Sequence, residues 1–239
     1  MRTLVFEVAG EYGQFKKPYS PMSPVSYPLP PPPAVLGMLG AVLGYGKNEY
    51  TQRLNWARLR IAVGLRKPLR VFRAALNLLQ TKDGTDAFFR PRAGQNVHTQ
   101  VPFEFLRQPH FRIYVAGLAE PVADELAACL RNGRSAYTVA LGLAPCLADE
   151  VRWIGEWSAR ALPAGEWTVH SAVPLQADIS VHYEDNRHYH RLRLPAVMDD
   201  ARIVHRYQEI VLAEDAQPLR IASGEESCYG VGDDIITFL

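Results

Sequence analysis

Residues 28–46 read PLPPPPAVLGMLGAVLGYG, a proline run that passes without a polar break into an apolar stretch with a glycine at every third or fourth position. A proline at the first position of a helix is preorganised for it, and the amide hydrogen it lacks would have had no acceptor there. The stretch therefore predicts a first helix over residues 34–46, packing through Val35, Leu36, Leu39, Val42 and Leu43. Gly37, Gly40 and Gly44 each cost roughly 1 kcal/mol relative to alanine inside a helix. Such glycines imply that something, either a strand or a ligand backbone, approaches the helix closely, and tight packing on a sheet is the favoured reason. The apolar run from Ala34 to Tyr45 is too short, and too rich in glycine, to span a bilayer.

Upstream, Leu4-Val5-Phe6-Glu7-Val8 is a β-prone run that reads as a buried first strand. Between it and the helix, eight of the chain's 18 prolines fall from Pro18 to Pro33, so the loop opened by Phe15-Lys16-Lys17-Pro18-Tyr19 is extended and stiff. Downstream, Ile61, Val63 and Leu65 alternate with Arg60, Ala62, Gly64 and Arg66, which predicts a half-exposed strand with arginines on its open face. Val71 to Leu79 reads as another strand. From Gln80 to Pro102 the apolar pattern gives way to Lys82, Arg90, Arg92, Gln95, Asn96, His98, Thr99 and Gln100, a long polar and basic excursion of the kind usually kept for function. Phe111, Ile113 and Val115 then mark a strand. Pro121 opens the clearest helix, with Val122, Leu126, Cys129 and Leu130 as its stripe and Asn132-Gly133 as its stop. A short apolar run follows at Tyr137 to Leu143.

That order is close to the β-α-β-β-α-β pattern of a ferredoxin-like, RNA-recognition-type fold. It predicts an α+β chain with a ferredoxin-like domain over residues 1–149. Strands at Val151–Trp157, Trp167–Val173, Ile179–Tyr183, Tyr189–Leu194 and Arg202–Leu212 make a β-rich C-terminal lobe over residues 150–239. With 48% hydrophobic and 21% charged residues in 239, the composition excludes disordered, collagen-like and disulfide-scaffold classes. Three distant cysteines (Cys129, Cys146, Cys228) and a start, Met1-Arg2-Thr3-Leu4, without signal-peptide character lead to the expectation of a soluble cytoplasmic protein.

The net charge of +1 conceals a division. Residues 1–112 hold 16 basic and 6 acidic side chains, and residues 113–239 hold 10 basic and 19 acidic ones, so the halves carry +10 and −9. From Lys47 to Arg112, 13 basic side chains stand against 4 acidic ones, interleaved with Tyr50, Trp56, Phe72, Phe88, Phe89, Phe103 and Phe105. Cations neutralise phosphates and aromatic faces stack unpaired bases, so this half is a candidate surface for single-stranded nucleic acid. Phe15–Tyr19 and the excursion from Arg90 to Gln100 are the favoured RNA-facing segments.

Other chemistry fares worse. His182, His188 and His190 crowd one segment, but a hairpin turn at Asp185-Asn186 puts His182 on the face away from the other two, so no metal site is expected. There is no Gly-x-Ser-x-Gly and no phosphate loop: at Gly44-Tyr45-Gly46-Lys47-Asn48 the glycines close a helix instead of opening one. The pairs Asp199-Asp200 and Asp233-Asp234 read as solvated surface.

Gly10, Phe15-Lys16-Lys17-Pro18, Ser26-Tyr27-Pro28, the proline run and Gly37-Met38-Leu39-Gly40-Ala41-Val42-Leu43-Gly44 resemble the N-terminal signature of the CRISPR-associated protein five family. The likeness continues through Gln95-Asn96-Val97-His98-Thr99-Gln100, then Phe105 to Val115, then Tyr137-Thr138-Val139-Ala140-Leu141-Gly142, over about the first 160 residues. In style it is nearest to the type I-B branch. The resemblance implies a ferredoxin-like domain with a β-hairpin thumb, here residues 80–102, and a subunit that caps the crRNA 5′ handle in a type I Cascade complex. It also implies contacts with the backbone and large subunits, and with target DNA only through the complex. RNA-binding residues on this reading are Lys16, Lys17, Tyr19, Tyr27, Arg53, Lys82, Arg90, Arg92, Asn96, His98 and Gln100. No cofactor or metal is implied. The type I-C branch is itself a metal-independent endoribonuclease that processes pre-crRNA with a tyrosine and a lysine-histidine pair. Tyr45 and Tyr50 are present here, but no lysine directly precedes a histidine, so a non-catalytic subunit is expected.

Overall fold

The computed structural model of the chain describes residues 1–20, 22–54, 58–79 and 97–239. Its largest sheet is built around β1 (Arg2–Ala9), which lies between β8 (His110–Ala116) and β9 (Glu150–Ser158), with β5 (Arg60–Leu65) beyond β8. All three pairings are antiparallel. Leu4, Phe6 and Val8 of β1 point into a core shared with α1 (Pro32–Leu43) and α3 (Glu120–Arg131). Val5 points the other way, into a second cluster with Ala62, Tyr114, Val231 and Ile236. Cover on both faces is the reason this strand reads as an almost unbroken apolar run.

The first helix starts two residues earlier than the sequence suggests. Pro31 is its N-cap and Pro32 and Pro33 form its first turn, where their missing donors cost nothing. It ends at Leu43 because Gly44 turns left-handed (φ 76°) and closes back on the Gly40 carbonyl. Its buried face contains all five expected residues, Val35, Leu36, Leu39, Val42 and Leu43, and it rests against α3 and the C-terminal strand β14 (Tyr189–Met198).

Two strand expectations need correction. Tyr137–Leu143 is a loop that makes one isolated bridge (Ala140 to Leu147); the sheet's fourth strand is β9, expected in the C-terminal lobe. The segment stays out of the sheet because its hydrogen bonds go elsewhere, while Val139 and Leu141 still pack into the core. Tyr137 and Ala136 donate to the Ala41 and Val42 carbonyls at the end of α1, and the Leu141 carbonyl accepts from Gln14. The strand over residues 60–65 is buried on both faces instead of half-exposed. The C-terminal half covers it: the Ala172 amide donates to Val63, and the His170 carbonyl lies so close to Gly64 that a Cβ there would sit 2.2 Å from it.

The remaining sheets are small. β2 (Tyr12–Gly13), β7 (His98–Arg107) and β6 (Val71–Leu79) form one in that order, and β3 (Phe15–Lys16) pairs with β4 (Ser26–Tyr27). In the C-terminal half, β15 (Val204–Ala213) lies between β12 (Val173–Pro174) and β14, and β16 (Leu219–Ser223) lies between β11 (Gly165–Val169) and β13 (Ile179–Val181). β17 (Tyr229–Val231) joins β10 (Arg160–Ala161) to β18 (Asp234–Ile236). The chain is thus mixed α and β, rich in strand, with several small sheets. Among the described residues no helix is long and apolar enough to cross a membrane.

The hairpin expected about Asp185-Asn186 does not form. β13 pairs with β16, while β14 pairs with β15. The two strands serve different cores: Ile179 packs with Leu219 and Ile221, whereas Leu194 joins Ile210 and Leu212 in the main core. His182 lies 3.9 Å from Glu166 and His190 lies 4.0 Å from Glu214, so each has its own carboxylate partner.

Candidate nucleic-acid interface

A groove of about 800 Å³ runs along α1. One side is the segment Gln14–Pro18 with Tyr27; the floor is the α1 face carrying Ala34, Gly37 and Ala41. Further walls come from Tyr45 to Tyr50, from the loop containing Tyr137 and Gly142, and from the end of the β14–β15 hairpin. Three of the segments that carry the family resemblance thus meet at one place: the lysine loop, the glycine helix and the run at residues 137–142.

The glycines of α1 have distinct roles. A Cβ on Gly40 would lie 3.0 Å from Tyr50 Cβ, so Gly40 admits the short helix α2 (Tyr50–Arg53), not a sheet. A Cβ on Gly37 would meet nothing within 4 Å. Gly37 leaves the helix backbone bare to the groove. Gly142 (φ 92°) permits the 137–143 loop to lie against the Gln14 carbonyl, where a Cβ would sit 2.0 Å away.

The groove is cationic and aromatic. Lys16, Lys47 and Arg202 line it together with Tyr45, Tyr50 and Tyr137, the last 59% exposed. Arg53 lies 4.8 Å from the Tyr45 ring and 3.9 Å from Glu49, and Arg202 lies 5.8 Å from the Tyr50 ring. Lys17 stands 5.7 Å above the Tyr27 ring. Burial pushes the Tyr27 phenol up to about 12, with small contributions from Tyr19 and Tyr207; it remains a neutral support at physiological pH.

Not all of the basic excess is available to a ligand. Glu7, 1% exposed on β1, is held by Arg152, by Arg112 at 2.8 Å, by His110 at 3.0 Å and by Arg66 at 3.3 Å. Burial alone would raise its pKa, but the hydrogen bonds from Arg152, Arg112 and His110 outweigh burial and hold it at about 2. Arg112 also bonds Asp234 at 2.7 Å, and the Tyr114 hydroxyl donates to the same carboxylate at 2.6 Å. Asp234 is therefore a half-buried structural anion, contrary to the expected solvated pair. These ion pairs consume several of the positive charges counted in the sequence.

The sequence-derived residues divide accordingly. Lys16 and Tyr27 line the groove; Lys17 and Arg53 stand on rings that line it. Tyr27 is 2% exposed, so its ring face is not open to a base. Tyr19 is 72% exposed on the adjoining loop. His98 and Gln100 lie at the far end of the β6–β7 ribbon, in register with Leu79 and Asn77, and do not line the groove. Lys82, Arg90, Arg92 and Asn96, with most of the expected thumb, fall outside the described residues. Of the aromatics read as possible stacking faces, Tyr50, Phe103 and Phe105 are buried, while Phe72 is 41% exposed.

Lys47, Tyr137 and Arg202 were not singled out by the sequence as RNA-binding. Lys47 sits in the rejected phosphate-loop lookalike, and Tyr137 sits at the edge of a run read as a strand. Arg202 has no local signal at all, since it reaches the groove from the acidic half.

The family model described as CRISPR-associated protein (Cas_Cas5) matches residues 3–208. The match runs well past the first 160 residues on which the resemblance rested. No curated protein sequence matches the chain. Among solved structures, a CRISPR protein from Archaeoglobus fulgidus superposes with a TM-score of 0.57 at 13% identity, over 100% of this chain and 99% of its own. A chain of a CRISPR RNA-guided surveillance complex superposes with a TM-score of 0.52 at 16% identity, over 91% of each chain.

Proposed function

The chain belongs to the Cas5 family of CRISPR-associated proteins, and from that premise we propose that it is a non-catalytic RNA-binding subunit of a type I effector complex, holding the 5′ handle of crRNA. The observation that carries this reading is the α1 groove, where Lys16, Lys47 and Arg202 stand beside tyrosine rings over a bare helix backbone at Gly37. Cations set among aromatic faces suit a single strand: phosphates are neutralised while splayed bases stack, at about 1–3 kcal/mol per base. A duplex offers no such bases. The order β5-β8-β1-β9, in which the first strand is central and paired with the third and fourth, supports a ferredoxin-like N-terminal unit. That unit extends through Ser158, because β9 completes its sheet. The β6–β7 ribbon is the base of the thumb, and exposed Val71, Phe72, Leu78 and Leu79 on β6 give it an apolar surface suited to the neighbouring backbone or large subunit.

Metal-free RNA cleavage requires a base for the 2′-hydroxyl and an acid for the leaving oxygen. Among the described residues, the groove is lined by lysine, arginine and tyrosine, without histidine or carboxylate, which favours holding over cutting. The test uses the full chain with fluorescently labelled single-stranded handle RNA in EDTA. Reversing charge at Lys16 and Lys47 together is expected to weaken binding and to flatten the slope of log affinity against log salt by about 0.7 for each phosphate that is no longer neutralised. Unchanged affinity refutes the groove assignment. Specific cleavage of repeat RNA by the unmodified chain refutes the non-catalytic part.

A further inference from the structure

We propose that the tip of the β14–β15 hairpin is a clamp on the bound strand, with Arg202 as its phosphate-binding residue; the inference rests on the RNA reading of the groove. The hairpin does not end straight. Its register shifts between Pro195 and Val197 and again between Val197 and Met198. Proline cannot donate to the ladder and bulges bend a strand, and Pro195 just before the shifts, with Met198 and Val204 beyond them, forms part of the groove wall.

The turn that follows is tightly determined. The Asp199 amide donates to the Ile203 carbonyl at 3.0 Å, the Arg202 amide donates to the Asp199 carbonyl at 3.1 Å, and Asp199 Oδ1 accepts from the Ile203 amide at 2.8 Å. His205 Nε2 lies 2.7 Å from Asp199 Oδ2. Held this way, Arg202 adopts a left-handed backbone (φ 66°), a conformation that a side chain with a Cβ takes only where its surroundings impose it. Gln52 Nε2 donates to Asp200 Oδ2 at 3.2 Å, tying the tip to α2. Both carboxylates of the tip are thereby occupied.

The guanidinium is left over the Tyr50 ring at 5.8 Å, in the groove, and among the described residues it makes no ion pair. A guanidinium set over a ring keeps its N–H groups for an anionic acceptor with two adjacent oxygens, such as a phosphate. The acidic half thus lends one cation to the cationic groove, and a single-stranded ribonucleotide backbone is the ligand that fits it.

The experiment compares Arg202→Asn with Arg206→Asn, an exposed arginine on the same hairpin that does not line the groove. Asparagine tolerates the left-handed conformation, so Arg202→Asn removes the guanidinium and spares the turn; equal melting temperatures check this. Handle affinity and its salt dependence are read by anisotropy on the full chain. Arg202→Asn is expected to weaken binding several-fold and to flatten the salt slope by about 0.7, and Arg206→Asn to change neither. If the two variants behave alike while the Lys16/Lys47 double reversal weakens binding, the clamp is wrong and the groove assignment stands. If the double reversal is also silent, the RNA reading itself has failed.

Discussion

Gly37 offers the most direct test of how α1 is used. Glycine inside a helix costs about 0.8–1 kcal/mol relative to alanine, and at Gly37 an added Cβ meets nothing within 4 Å. Gly37→Ala is therefore expected to stabilise the fold by about 0.8–1 kcal/mol, which raises the melting temperature by about 2–4 °C for a chain of this size. Gly40→Ala removes the same intrinsic penalty but pushes a Cβ to 3.0 Å from Tyr50 Cβ and 3.3 Å from its Cγ. It is expected to gain nothing in stability, and to disturb the ring that supports Arg202. Gly37→Leu separates stability from binding. Leucine is nearly as good a helix former as alanine, so the melting temperature should not fall below that of the parent, yet the side chain projects into the groove and handle RNA should bind more weakly. Thermal melts followed by circular dichroism, and RNA anisotropy on the same samples, measure both effects. A lower melting temperature for Gly37→Ala refutes the open helix face. Undiminished RNA binding by a stable Gly37→Leu refutes the groove as the RNA path.

Two further outcomes follow from the packing. Because the carboxyl of Glu7 titrates near 2 in the fold and near 4.5 when exposed, its contribution of about 3 kcal/mol is complete above pH 4.5 and disappears as the pH falls toward 2. Glu7→Gln, which removes the buried anion shared by Arg66, His110, Arg112 and Arg152, should cost about 3–5 kcal/mol at pH 7 and flatten the acid limb of a urea stability profile; parent-like stability and an unchanged limb contradict the network. At Gly142, φ of 92° and the Gln14 carbonyl 2.0 Å from a would-be Cβ make Gly142→Ala costly, by about 2 kcal/mol or more. A denaturant midpoint equal to the parent's would show that the 137–143 loop is not fixed against residues 10–15.

Local chemistry was readable in the chain: the proline run placed the start of α1 to within two residues and the stripe of α3 its packing side, because these depend on residues within one or two turns of each other, whereas the helix ends at Leu43, short of the expected residue 46. The polarised charge and the lysine loop were legible for the same reason. What could not be read were outcomes of competition between distant segments. Tyr137–Leu143 has the composition of a strand, but the carbonyls at the end of α1 and Gln14 take its hydrogen bonds, and β9 supplies the missing partner to β1. Residues 60–65 alternate as a half-exposed strand does, yet the C-terminal half covers the second face. His182 and His190 are close in sequence, but Ile179 and Leu194 bury in different cores and draw their strands apart.

By itself the sequence determined that a glycine-rich helix follows a rigid proline loop beside a cluster of lysines, since proline and glycine act on the backbone wherever the rest of the chain lies. Tertiary structure alone decided which charges line the groove. Burial of Glu7 and Asp234 draws arginines inward, while a bent hairpin brings Arg202 across some 150 residues of chain to Tyr50. Coulombic partners are chosen by distance in space, and spacing along the chain does not reveal it.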